Sequence, residues 1–142
     1  MILILVAVKE ELSEKDLPDM QIHYTGVGKI NAAIKTSKII KDYSPSLIIN
    51  YGTAGSRKIK KKTLVDCTKF IQRDMDVRGL GFMKSQTPFE PLVPIILDSS
   101  HVTFNPIGMN EICATGDSFV QEETDYVVDM EAYALAKVCW KR

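Results

Sequence analysis

The first eight residues, Met1–Val8, form an unbroken apolar run rich in Ile, Leu and Val. Strands buried on both faces read this way, and such strands belong to parallel sheets covered by helices. The run therefore predicts an α/β chain that opens with a buried strand. Shorter runs repeat the pattern at Gln21–Tyr24, Leu47–Asn50, Glu111–Ala114 and Asp125–Val128, and each predicts a strand. Leu64–Gln72 alternates apolar and polar residues, as a half-exposed strand does. Pro91–Leu97 predicts a short strand at a sheet edge, because Pro94 cannot donate to a ladder. Two helices are expected. Ile30–Tyr43 places Ile30, Ala33, Ile34 and Ser37 on one face and is ended by Pro45. Met130–Trp140 is apolar on most sides and so asks for burial. Gly79–Glu90 is loop-like, and its Phe and Met residues suit an oligomer interface or a pocket lid. His101–Pro106 is ambiguous.

For function, the turns at the strand ends matter more than the strands. Open α/β sheets bind ligands at the carboxyl ends of their strands. Lys9-Glu10-Glu11 leaves the first strand; the plain reading is a solvated turn, the functional one an acid pointing into a cleft. Thr25-Gly26-Val27-Gly28-Lys29 leaves the second and opens a helix, where an anion can sit. It lacks the third glycine of a dinucleotide fingerprint, and most such turns are only tight connections. Tyr51-Gly52-Thr53-Ala54-Gly55 leaves the third, with small residues that admit a ligand close to the backbone. Thr115-Gly116-Asp117-Ser118-Phe119-Val120 and Asp129-Met130-Glu131 leave the last two. Asp129 is placed to cap the final helix. Glu131 lies in the first helical turn, where the helix dipole favours a carboxylate that can accept hydrogen bonds from a polyol such as ribose.

Composition narrows the partners. The 142 residues suffice for one domain with a core, and the formal net charge is zero. There is no global electrostatic case for nucleic acid or an anionic membrane surface. The basic run Arg57–Lys62 reads as a solvated loop, since no aromatics are interleaved with it. Cys67, Cys113 and Cys139 read as reduced core residues of a cytoplasmic protein. His23 and His101 stand far from any Cys at zinc-ligand spacing, so no metal site is expected, and no cofactor is called for. Met1–Val8 is too short to span a membrane and lacks the basic flank of a signal peptide.

Six segments in order then resemble one family. They are Ala7–Leu12, Thr25–Ala33, Ile49–Gly55, Arg73–Val77, Thr115–Phe119 and Asp129–Ala132. Together they are similar to the nucleoside phosphorylase superfamily, with the 5'-methylthioadenosine/S-adenosylhomocysteine nucleosidases as the nearest branch. The resemblance implies a cytoplasmic, dimeric α/β enzyme: a mixed sheet flanked by helices, acting on a small-molecule nucleoside. The implied reaction is hydrolysis of the bond between adenine and a 5'-thio-substituted ribose, through an oxocarbenium-like transition state. By resemblance, Glu11 is the base that activates water. Glu131 holds the ribose hydroxyls and Met130 packs under the sugar. Phe119 is the platform for adenine, the Val120 backbone reads the base edge, and Thr53 lines the site near the sugar. Arg73–Val77 resembles the part of the family that meets the dimer partner and closes the thio-substituent pocket.

Some family features are not matched. The family's acid for the leaving adenine comes from a Ser-Asp segment on a strand after the last helix seen here. That strand and the family's last helix are absent from these 142 residues. Asp117, the one nearby acid, reads as a structural turn residue. Lys9 stands where the family often has an acid, Asp129 where it often has Glu, and the stretch before Thr25 is short. Two alternatives stay open: a nucleoside-binding remnant without turnover, or a phosphorylase whose phosphate cradle would draw on Gly26–Lys29 and on Arg57 or Arg73. A generic Rossmann-like binding module explains Gly26–Gly28 but not Asp129–Glu131.

Overall fold

The computed structural model describes residues 1–90, 96–120 and 123–140. The first unit is a parallel sheet in the order β2-β1-β3, built from β1 (Ile2–Val6), β2 (Gln21–Tyr24) and β3 (Leu47–Asn50). β1 is central, and Leu3, Leu5 and Val6 are fully buried, as the opening apolar run requires. The second sheet runs β5-β4-β6-β7, from β4 (Cys67–Gln72), β5 (Ile96–Asp98), β6 (Glu111–Thr115) and β7 (Val127–Asp129). β4, β6 and β7 are parallel, while β5 pairs antiparallel with β4 at the edge. The second sheet is therefore mixed, as expected. A backbone bridge between Gly55 and Val128, with N–H···O distances of 2.9 Å in both directions, joins the loop after β3 to β7.

Helix α1 (Lys29–Tyr43) and helix α2 (Ala132–Trp140) pack on each other and on β1. The face that α1 buries differs from the expected one. Ala32, Thr36 and Ile39 are buried, whereas Ile30 is 73% and Ile34 is 64% exposed. Ala32 and Ile39 of α1 share one cluster with Ala134 and Leu135 of α2 and with Leu3 and Leu5 of β1, so the buried stripe is the one that meets α2 and β1. Ile30 and Ile34 lie off that stripe.

Other boundaries shift modestly. β4 begins at Cys67, and Leu64 before it is exposed. β7 begins at Val127, with Asp125 outside it and paired to Arg57. Residues 91–95 of the expected edge strand lie outside the described residues; Ile96 and Leu97 do form an edge strand. Gly79–Glu90 is loop apart from one short 3-10 turn, Arg78–Leu80. Cys113 is buried and Cys67 half-buried, but Cys139 is exposed, because α2 buries only its first half, Ala132–Leu135. Among the described residues, no helix is long and apolar enough to cross a membrane.

α2 begins where the sequence places it, for a definite reason. Helix N-termini leave unpaired N–H groups that need acceptors. Asp129 Oδ2 accepts from Glu131 N at 3.1 Å and Ala132 N at 2.7 Å. The buried Thr115 hydroxyl accepts from Tyr133 N at 2.9 Å and donates to Asp129 Oδ1 at 2.5 Å. Asp129→Ala removes three of these bonds at once. It is expected to cost about 2 kcal/mol, measured by urea unfolding, since a lost cap costs roughly 0.5–2 and Thr115 also loses a buried partner.

Candidate active site

Five loops converge at the carboxyl ends of parallel strands, as the sequence anticipates. After β1 comes Glu11. Its N–H closes a turn onto Val8 O at 3.1 Å, and Tyr24 Oη donates to Leu12 O at 2.9 Å, which pins the turn to β2. After β3 comes Thr53, whose N–H and hydroxyl both donate to Glu11 Oε2, at 2.7 and 2.8 Å. Thr53 thus holds Glu11 in place and still has hydroxyl lone pairs free to accept. Glu11 Oε1 accepts no hydrogen bond among the described residues, so one oxygen is fixed and the other is open to an incoming proton.

Gly52 makes this grip possible. A Cβ there would lie 2.9 Å from Glu11 Oε2. Gly52→Ala would push the carboxylate off Thr53, and because a side-chain tip can move, the fold would survive. The expected result is a loss of any turnover of at least about tenfold with little change in melting temperature, checked by paired rate and thermal measurements.

Glu131 follows β7 and directly precedes α2. Its Oε2 accepts from Gly28 N at 2.9 Å, at the mouth of α1. The carboxylate therefore sits where two helix N-termini meet, which favours negative charge. Burial nonetheless raises its pKa, and neighbouring Asp129, Glu11 and Asp117 push the same way; the Gly28 N–H opposes them without prevailing. A carboxyl poised in this way is suited to exchange hydrogen bonds with neutral hydroxyls.

The turn after β6 completes the group. Asp117 Oδ1 accepts from Lys29 N at 2.9 Å, and Lys29 Nζ lies 3.8 Å from Asp117 Oδ2 and 2.7 Å from Asp74 Oδ1. Asp117 therefore ties the β6 turn to α1, as a structural turn residue does. Phe119 beyond it is 91% exposed, so both faces of its ring are uncovered by protein. Val120 and Met130 are half-buried. Glu11, Thr53 and Glu131 are brought together by direct hydrogen bonds or close charges, while Phe119 and Val120 reach the group only through the Asp117 turn.

A cavity of about 770 Å³ runs along β3 and the inner face of α2. Thr53, Asp129 and Glu131 line its rim; Glu11, Phe119 and Met130 do not.

Thr115, Lys29, Arg73 and Asp74 all lie in segments the sequence singles out, but not with the roles seen here. Lys29, Arg73 and Asp74 act largely through backbone groups and one another, and such bonds leave no pattern in the sequence.

Known proteins share the family and the fold. A family model described as the phosphorylase superfamily matches residues 19–142. The 5'-methylthioadenosine/S-adenosylhomocysteine nucleosidase of Oceanobacillus iheyensis is 30% identical over 137 residues, covering 82% of this chain and 60% of that protein. The nucleosidase of the same description from a Marinomonas species is 27% identical over 145 residues, covering 87% of this chain and 62% of that protein. The chain thus spans about three fifths of the length of these relatives. The fold is matched by the crystal structure of a Neisseria meningitidis 5'-methylthioadenosine/S-adenosylhomocysteine nucleosidase in complex with methylthio-immucillin-A. Its TM-score is 0.78 at 22% identity, over 99% of this chain and 79% of that one. Futalosine hydrolase of Helicobacter pylori matches with a TM-score of 0.80 at 20% identity, over 99% and 78%. The chain belongs to the phosphorylase superfamily, on the branch of the 5'-methylthioadenosine/S-adenosylhomocysteine nucleosidases.

Proposed function

We propose that this chain binds an adenine nucleoside bearing a 5'-thio substituent and carries the water-activating half of its hydrolysis. Glu131 accepts hydrogen bonds from the ribose hydroxyls, Met130 lies under the sugar, and the base rests on Phe119 with its edge at Val120. Glu11 Oε1 takes a proton from water as the water oxygen attacks the anomeric carbon. The electron pair of the breaking C–N bond passes to adenine, which must gain a proton to leave.

The observation that carries hydrolysis over phosphorolysis is the state of the possible phosphate cradle. Gly28 N is held by Glu131 and Lys29 N by Asp117. Arg57 pairs with Glu123 and Asp125, and Arg73 is engaged by backbone carbonyls. Apart from Arg73 Nε, which is buried without a partner, these donors already have internal partners, and four carboxylates (Glu11, Asp117, Asp129 and Glu131) surround the place. An anion would meet repulsion there, whereas water and a neutral nucleoside would not.

A second reading, binding without turnover, is favoured by one observation. Asp117 is occupied by Lys29 from both oxygens and is unsuited to protonate adenine. The test is adenine release from 5'-methylthioadenosine in phosphate-free buffer, repeated with phosphate. Release that ignores phosphate supports the nucleosidase. Release only with phosphate overturns hydrolysis, and nucleoside binding without release supports the second reading.

We also propose a homodimer, with the exposed apolar residues Val27, Ile30 and Ile34 of the α1 region as its contact. Sedimentation that gives a monomer at micromolar concentration would refute it.

A further inference from the structure

The strand β4 sends no group into the site, yet the dipeptide that ends it, Arg73-Asp74, grips two of the site's loops. Arg73 N–H first extends the ladder onto Thr115 O at 2.9 Å. Its guanidinium then donates to Gly116 O at 3.3 Å, to Ser118 O, and to Asp129 O at 3.4 Å, with Ser118 Oγ at 3.5 Å from Nη1. Asp74 takes the opposite polarity: its Oδ2 accepts from Asp117 N at 2.9 Å. Carbonyl, N–H and carbonyl of three consecutive residues, Gly116, Asp117 and Ser118, are thus each held by this one dipeptide. Among the described residues, Arg73 forms no ion pair. Its cation serves backbone oxygens and one hydroxyl.

The reach to Asp129 O matters most. Asp129 lies two residues before Glu131 and caps α2. The same guanidinium therefore touches the turn that carries Phe119 and the segment that carries Glu131. Gly116 is shaped around it, since a Cβ there would fall 2.7 Å from Nη1 and 2.8 Å from Cζ of Arg73. A planar fork that serves several carbonyls at once is specific to arginine; an ammonium offers a single point of charge.

From this geometry we infer that Arg73 is a positioning residue that sets the spacing between the base-binding turn and the ribose acid Glu131. The inference rests on the proposed nucleoside site and deepens it. A nucleoside spans both groups and feels their spacing. Free adenine touches only the turn, which Asp74 and Lys29 continue to hold when Arg73 is changed.

The test is calorimetric titration of the 142-residue chain and its Arg73→Lys variant with 5'-methylthioadenosine and, separately, with adenine. The expected result is a nucleoside affinity that falls about tenfold or more beyond any fall in adenine affinity, because a misplacement of about 1 Å is costly only to a ligand held at both ends. Gly116→Ala, which displaces the guanidinium without removing it, is expected to give the same signature and serves if Arg73→Lys does not fold. Equal losses for both ligands, or none for either, overturn the positioning role. A parent chain that binds neither ligand overturns the nucleoside site itself, so the two failures are told apart.

Discussion

Glu11→Gln is expected to lower any adenine release from 5'-methylthioadenosine by about 10²–10⁴-fold, the usual contribution of a general base. Nucleoside affinity should stay close to that of the parent. The structure explains why the two effects separate. A glutamine carbonyl can still accept from Thr53 N and Oγ1, which now donate to Glu11 Oε2 at 2.7 and 2.8 Å, so the side chain stays in place. What is lost is the capacity to take a proton at the open Oε1 position. Rate measurements together with calorimetry check both halves. A variant as active as the parent would remove Glu11 from the water-activating role.

Glu131→Gln is expected to weaken nucleoside binding by roughly 10- to 100-fold, because bonds to a charged acceptor are stronger than neutral ones. It should also stabilise the unliganded fold at neutral pH. The sign follows from the direction of the shift. Burial, aided by Asp129, Glu11 and Asp117, raises the carboxyl above its ordinary 4.5. Its contribution to stability is therefore fully present below that ordinary value and is lost as pH rises through the raised folded one. Urea unfolding at about pH 3.5 should barely separate the variant from the parent, while at about pH 7.5 the variant should be the more stable. Greater stability of the parent at neutral pH would mean that the Gly28 N–H outweighs burial and the neighbouring acids. Ligand binding thus opposes stability at this one side chain, a pattern familiar where function requires an isolated charge.

The parts of this site visible in the sequence share one property: they lie where an apolar run gives way to polar residues. Glu11, Thr53, Asp129 and Glu131 are all found in that way, and the strand order of an α/β fold brings them to one side. The helix faces were less legible. Hydrophobicity alone marks Ile30 and Ile34 as the inward residues of α1, but the stripe that meets α2 and β1 carries Ala32 and Ile39 instead. Cys139 was misplaced for a related reason, since only the first half of α2 is covered. Arg73 and Asp74 stood in a recognised segment, but their hold on the β6 turn was not legible, because there they bind mainly peptide groups, which every residue has. The resemblance implies contact with a second subunit for that motif; the structure shows an internal contact.

The hydrogen bond from Gly28 to Glu131 joins residues 103 apart in the chain, that from Lys29 to Asp117 residues 88 apart, and that from Thr53 to Glu11 residues 42 apart. Such contacts form late, since long loops must close before they yield anything. A half-folded chain thus has strands but no nucleoside site. A nucleoside cannot act as a template for folding this chain; it recognises only the finished product. Added ligand should therefore slow unfolding and leave the refolding rate unchanged, so that the site acts as a lock on the completed fold.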